Sequence, residues 1–342
     1  MSHRKVPPMS FKVRFPNIMP ISEVVKLNSG YDMPMIGYGT WQISKTVAGE
    51  HVREALEAGY RLIDCSIGFR NQTEIAAGIR DWCKIRKFKR AELFYSSKIW
   101  NTFHSREKCL QLVDKMLEEF DTDYMDLILI HWPYGWAEDR PEDLFPRDRF
   151  GKMRFSNVDY METWRALEEA HAKGKVRSLG FCSFNLKQAD RLWREAKVKP
   201  AVVQIELNPL ISQKAYRDFC RQRGIVLCAF MPLGNPDSAS HRKPGDPNLL
   251  HNETLQAIAR IHGKSVPQII LRWLIDIGVT AVVKASDPKR IRANINIFKF
   301  SLTPEEITRI EALNIDFRLL NPIIGNHDHP HFPWPHNRQS SA

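Results

Sequence analysis

The 342-residue sequence has no apolar run approaching the roughly 20 residues that a membrane-spanning helix needs. That argues against a membrane protein. It has no C-x-x-C pair and no Cys/His ligand spacing. Its six cysteines, Cys65, Cys83, Cys109, Cys182, Cys220 and Cys228, are scattered through a chain too long to need disulfide staples. A metal site is therefore not expected, and a reducing, cytoplasmic compartment is. No G-x-G-x-x-G follows any apolar run, so a Rossmann dinucleotide site is excluded. The first 25 residues are Pro-rich and basic but lack the apolar centre of a secretory signal. Pro7, Pro8, Pro16 and Pro20 also interrupt the amphipathic helix that a mitochondrial presequence requires. Residues 1–23 are expected to be a disordered basic extension and residues 336–342 a flexible tail. No zinc-finger or RNP signature accompanies the basic cluster from Lys84 to Arg90. That cluster is thus read as a solvated loop and not as a nucleic-acid site, while the surplus of 50 Lys and Arg over 39 Asp and Glu, +11 in all, favours anionic partners in general.

What is present is a large soluble-protein composition, 43% hydrophobic and 26% charged, enough for one sizeable core. A β-hairpin is expected from Val24 to Leu27 and Met33 to Met35 around the turn Asn28-Ser-Gly30. Eight short apolar runs follow: 36–39, 61–64, 93–98, 127–131, 178–182, 202–206, 226–230 and 281–284. Between them lie helical periodicities such as Val52-Ala55-Leu56, Leu112-Met116-Leu117-Phe120 and Trp164-Leu167-His171. Strands alternating with helices imply a parallel sheet with right-handed crossovers, and eight units close into a (β/α)8 barrel. Residues 24–335 are read as this single domain. Two long segments, Tyr134 to Val158 and Pro232 to Asn248, leave from strand C-termini and should overhang one mouth. Ser301-Leu-Thr-Pro-Glu-Glu306 is a capping box for the last helix, with Thr303 as N-cap. The tail from Asn321 to Pro335 should be irregular, and its histidines, His327, His329 and His331, are read as surface groups, not metal ligands.

Three of the runs end in ionisable side chains: Arg61-Leu-Ile-Asp64, Leu93-Phe-Tyr-Ser-Ser-Lys98 and Leu127-Ile-Leu-Ile-His131. Singly, each has an ordinary explanation as a turn cap, a snorkelling amine or a core histidine. Together they place a carboxylate, an ammonium and an imidazole on neighbouring strand tips about 5 Å apart, where they would shift one another's pKa values.

The chain resembles the aldo-keto reductases, a cytosolic barrel family that reduces aldehydes and ketones with NADPH. The resemblance rests on Gly37-Tyr-Gly-Thr-Trp41, Gly59-Tyr-Arg-Leu-Ile-Asp-Cys65, Ser97-Lys-Ile-Trp100, Leu129-Ile-His-Trp-Pro133, Gln204-Ile-Glu-Leu-Asn-Pro209, Pro232-Leu-Gly234 and Val283-Lys284 with Arg290 and Asn294. It implies hydride transfer to a carbonyl carbon at a site made by Asp64, Lys98 and His131, in which the family's proton-donating tyrosine is Phe69. It further implies an NADP(H) site drawn from Thr40, Trp41, Cys182, Ser183, Gln204, Phe230, Leu233, Lys284, Arg290 and Asn294, with NAD(H) left open. A carbonyl-substrate pocket is implied at Trp41, Trp100, Trp132 and Phe145, with Phe332 and Trp334 of the tail able to close it.

Departures from the family pattern cluster at this site. Phe69 keeps a ring but has no proton to give, and losing a general acid typically costs 10²- to 10⁴-fold. His131 as imidazolium is the best substitute, water held by Lys98 the second, while Ser66 would need the rim turn to aim it inward. Cys182 and Ser183 stand where Ser-Asn is usual, and Met231 where serine is usual. Ala285 and Asp287 replace phosphate-binding residues, which weakens the case for a 2′-phosphate. Gly68, in place of a bulkier residue, should widen the mouth. Two functions follow: a carbonyl reductase, presumed monomeric, with an altered proton supply, or a non-catalytic relative that binds dinucleotide and acts through a protein partner.

Overall fold

The computed structural model describes residues 23–140, 142–236, 242–320 and 328–334. The expected N-terminal extension up to residue 22, the tail from 336 onward and His327 lie outside them. Strands β1 (Val24–Lys26) and β2 (Asp32–Pro34) form the antiparallel hairpin. The barrel strands are β3 (Ile36–Gly39), β4 (Leu62–Asp64), β5 (Phe94–Ile99), β6 (Met125–Ile130), β7 (Val176–Cys182), β8 (Val202–Glu206), β9 (Val226–Phe230) and β10 (Thr280–Val283). All eight pair in parallel and the ring closes between β10 and β3. Helices α1 (Lys45–Glu57), α2 (Gln72–Arg86), α3 (Arg106–Phe120), α4 (Tyr160–Ala172), α5 (Leu186–Glu195) and α6 (Lys214–Arg223) follow successive strands from β3. After β9 come α7 (Glu253–His262) and α8 (Val266–Asp276), and after β10 come α9 (Pro288–Ile295) and α10 (Pro304–Glu311). Among the described residues no helix is long and apolar enough to cross a membrane.

The strands are buried and largely apolar because both faces are covered, one by the barrel interior and the other by the helices. Met125-Asp-Leu-Ile-Leu-Ile130 is buried along its whole length. Its one charge explains why the strand begins two residues earlier than the apolar run suggests. Asp126 accepts hydrogen bonds from Arg90 at 2.7 Å, from the Tyr95 N–H at 2.9 Å and from Arg177 at 3.3 Å, so its burial is compensated. The closing seam is fastened by Tyr38 on β3, whose buried hydroxyl donates to the Ala285 carbonyl just past β10 at 2.7 Å. At the N-terminal ends of the strands the hairpin plugs the barrel, with Ser29 and Ser178 hydroxyls 2.8 Å apart and Asn28 donating to the Pro200 carbonyl at 2.9 Å.

At the opposite end, the long segments wrap the mouth. The excursion after β6 folds back on itself through antiparallel bridges Trp136 to Phe155 and Arg147 to Met153. The segment after α10 is tied down by Glu206 at the end of β8. Its fully buried carboxylate accepts the Leu319 and Leu320 amides at 2.7 and 2.9 Å, with Arg318 4.0 Å away. The final capping box forms as expected: Thr303 Oγ1 accepts the Glu306 amide at 3.2 Å and Glu306 accepts the Thr303 amide at 2.9 Å. Glu306 also meets His262 at 2.9 Å.

Helices α1 and α2 cross at Gly49 and Gly78. A Cβ on Gly78 would stand 2.6 Å from the Gly49 carbonyl oxygen and 2.7 Å from its Cα, both backbone atoms that cannot move aside. Helix propensity alone would let Gly78→Ala stabilise the chain by up to about 1 kcal/mol. The contact reverses that sign, so Gly78→Ala should destabilise by about 1–3 kcal/mol, seen as a lower midpoint in urea or thermal unfolding.

Candidate active site

Strands β4, β5 and β6 deliver their ionisable residues to one place. Asp64 is the last residue of β4, Lys98 lies one residue before the end of β5, and His131 follows β6, where its amide donates to the Ile99 carbonyl at 3.0 Å. The Lys98 ammonium donates to Asp64 Oδ2 at 2.6 Å and to the Cys65 carbonyl at 3.0 Å. The other carboxylate oxygen accepts from Ser96 Oγ at 3.1 Å and Gln204 Nε2 at 3.2 Å. Lys98 and Asp64 are 1% and 3% exposed, so this is a desolvated ion pair whose every partner is fixed.

Phe69 stands beside the pair. Its ring centroid is 5.1 Å from Lys98 Nζ, and its edge meets the His131 ring at 5.7 Å and 82°. The four residues singled out from sequence therefore meet in space, with a phenyl face covering the ammonium. The turn that carries Phe69, Ile67–Phe69, is capped by Ser66, whose hydroxyl lies 3.1 Å from His131 Nδ1. Ser66 thus points inward without any special rearrangement of the rim.

Two expectations about this turn need correction. Gly68 does not widen the mouth: a Cβ there would lie 2.4 Å from the Trp100 indole, which already fills the space. Nor is His131 an imidazolium. Burial, then the Lys98 charge, then His104 drive its pKa well below 6.5, so the ring is neutral near pH 7.

The aromatic pocket forms around the same ring. Trp100 meets His131 at 4.9 Å, Trp136 at 5.3 Å and Phe145 at 5.4 Å, and donates to the Leu144 carbonyl at 2.8 Å. Trp132 lies parallel to His131 at 6.3 Å and takes the edge of Trp334 at 5.5 Å; Phe332 reaches Tyr134 at 6.1 Å. Trp136 and Tyr134 belong to this wall but escaped sequence reasoning, because they sit in a stretch with no periodicity. Trp41 lies half-buried at the tip of β3. Thr40 is fully buried, its hydroxyl donating to the Asp64 carbonyl at 2.9 Å, which makes it a brace for the carboxylate.

The remaining cleft residues lie along the next strand tips. Cys182 ends β7 opposite Gln204 on β8, and Phe230 ends β9 half-buried. Burial pushes the Cys182 thiol up to about 12, so it is a weak donor, 3.9 Å from Gln204 Oε1. Ser183 and Met231, the residues just past β7 and β9, have φ of 61° and 48°, a left-handed backbone uncommon for such side chains and frequent at functional sites. Leu233 packs half-buried against the core, Lys284 and Arg290 are exposed beyond β10, and Asn294 is buried on α9. Asp287 caps α9 through the Arg290 amide at 3.0 Å, and that bond holds its carboxyl below the usual range. Among the described residues all six cysteines are free and no cluster suits a metal ion.

His329 is a further correction. It is 5% exposed, Nε2 donating to the Ser156 carbonyl at 3.2 Å and Nδ1 accepting the His331 amide at 3.0 Å, so the tail packs down through a buried histidine. His104, also buried, has no partner for either ring nitrogen among the described residues, and burial pushes it down to about 3.

Two outcomes follow from these environments. Lys98→Met leaves the Asp64 carboxylate buried without its cation and should cost about 3–5 kcal/mol in urea unfolding at pH 7. His104 and His131 stay neutral in the folded chain while the unfolded chain binds protons near pH 6.5, so stability is lost as pH falls below 6.5 and, for His104, continues to fall toward about 3. Between pH 7 and 5 His104 should contribute roughly 2 kcal/mol of that loss, and His131 acts in the same direction. Urea unfolding at the two pH values should show His104→Leu less acid-sensitive by that amount.

The model of the Aldo/keto reductase family matches residues 35–315. The chain is 39% identical to mouse aldo-keto reductase family 1 member A1 over 301 residues, 88% of this chain and 92% of the relative. The chicken protein of the same name is 36% identical over 321 residues, 91% and 97%. Among solved structures it is similar to a Bombyx mori aldo-keto reductase in complex with NADP, with TM-score 0.84 and 31% identity over 92% of this chain and all of that one. On this evidence, and on the closed barrel with its shared rim of charges, the chain belongs to the aldo/keto reductase family.

Proposed function

We propose that this protein reduces aldehydes or ketones to alcohols with NADPH, using Asp64, Lys98 and His131, at a rate limited by the absence of a hydroxyl at Phe69. The observation that carries this reading is the desolvated Lys98–Asp64 pair at 2.6 Å beside a neutral imidazole, a costly arrangement with no evident structural need at a barrel mouth.

The residues fit a dinucleotide. Gln204 commits its amide nitrogen to Asp64, while its carbonyl oxygen has only the Cys182 thiol at 3.9 Å and so can accept from a carboxamide. Phe230 offers a ring face for stacking at the end of β9, and Ser183 a hydroxyl just past β7. Lys284 and Arg290 supply exposed positive charge at the far end for phosphate. The Asp287 carboxylate lies among them, which leaves NADH in contention. When bound, the cofactor supplies a hydride to the carbonyl carbon.

The chain's own groups deal with the oxygen. His131 orients the carbonyl as a hydrogen-bond donor, and the Lys98 charge stabilises the developing alkoxide in a site where water competes little. Because His131 is neutral, the proton that completes the alcohol comes from the Lys98 ammonium relayed through a water, and solvent then returns a proton to the resulting amine. Trp100, Trp132, Trp136 and Phe145 hold the substrate's apolar part. A second reading, a dinucleotide-binding protein without turnover, is favoured by one observation: Phe69 covers the ammonium with carbon.

Phe69→Tyr separates the two. Under the reductase reading it should raise kcat for a reactive aldehyde by about 10²- to 10⁴-fold while NADPH binding, followed by cofactor fluorescence, changes little. Binding in both forms with turnover in neither would favour the second reading.

A further inference from the structure

Ser66 is fully buried at the start of the turn Ile67–Phe69. Its hydroxyl oxygen accepts the Gly68 amide at 3.2 Å and lies 3.1 Å from Nδ1 of His131. These two contacts distinguish the ring's tautomers. With the proton on Nδ1, the hydroxyl would accept twice and its own hydrogen would be stranded in a dry site, a costly arrangement. With Ser66 donating to Nδ1, the hydroxyl and Nδ1 are both satisfied and the ring proton sits on Nε2. We infer that Ser66 is a positioning residue that holds His131 as the neutral Nε2–H tautomer, so that the ring offers a donor and not a lone pair to the substrate oxygen.

The surroundings support this. Trp100 and Phe69 meet the ring edge-on at 4.9 and 5.7 Å, and Trp132 lies parallel at 6.3 Å, so the imidazole cannot readily turn over and exchange its nitrogens. Burial and the Lys98 charge keep the ring neutral, and only a neutral ring can accept from a hydroxyl. The arrangement also links Ser66 to Gly68: because Gly68 lacks a Cβ, Trp100 can pack against the turn that carries the serine. The catalytic consequence rests on the reductase reading, but the tautomer does not.

The test uses full-length protein labelled with ¹⁵N-histidine, the His131 signals being assigned by their loss in His131→Gln. In the native chain at pH 7, long-range ¹⁵N–¹H spectra should show a protonated Nε2 and a bare Nδ1. In Ser66→Ala the signals should move toward a mixture of tautomers, and kcat for aldehyde reduction should fall about tenfold, the size of one lost hydrogen bond, with the aldehyde KM little changed. A protonated Nδ1 in the native chain, or unchanged spectra in Ser66→Ala, would overturn the assignment. Absence of turnover in the native chain would count against the reductase reading, while the spectra would still decide the role of Ser66.

Discussion

Everything at the mouth of this barrel is arranged around one buried ion pair. Lys98 and Asp64 come from adjacent parallel strands, and their contact at 2.6 Å is tolerable because further hydrogen bonds support both charges: the Cys65 carbonyl for the ammonium, Ser96 and Gln204 for the carboxylate, and Thr40 for the Asp64 backbone carbonyl. Desolvation makes the pair effective as well as costly. In a medium with little water, the lysine charge reaches the neighbouring imidazole and strips it of its second proton.

That neutral imidazole determines what the turn 66–69 has to supply. A tyrosine there would bring its own proton; Phe69 brings only a face over the ammonium and an edge against the histidine. Ser66 and Gly68 complete the turn, one bonded to the ring nitrogen and the other making room for Trp100. Phe69, Ser66 and Gly68 are thus physically connected, each touching His131 directly or through the indole that packs on it.

The barrel was readable because its strands are short, mostly apolar and evenly interrupted by helical periodicity, which leaves few topologies open. Strand ends were less so. The start of β6 was hidden by Asp126, whose charge reads as solvent-facing until Arg90 and Arg177 are seen against it. The burial of His329 depends on the Ser156 carbonyl, 173 residues away in sequence, and no local pattern could announce it. Trp136 was passed over for the same reason.

The sequence by itself determined the parallel barrel and the three charged strand tips, since each is a matter of residue type at a regular spacing. Tertiary structure decided the protonation of His131, the inward aim of Ser66 and the filling of the space at Gly68. These depend on desolvation and on contacts measured in tenths of an ångström between segments far apart in the chain. A linear pattern carries neither quantity.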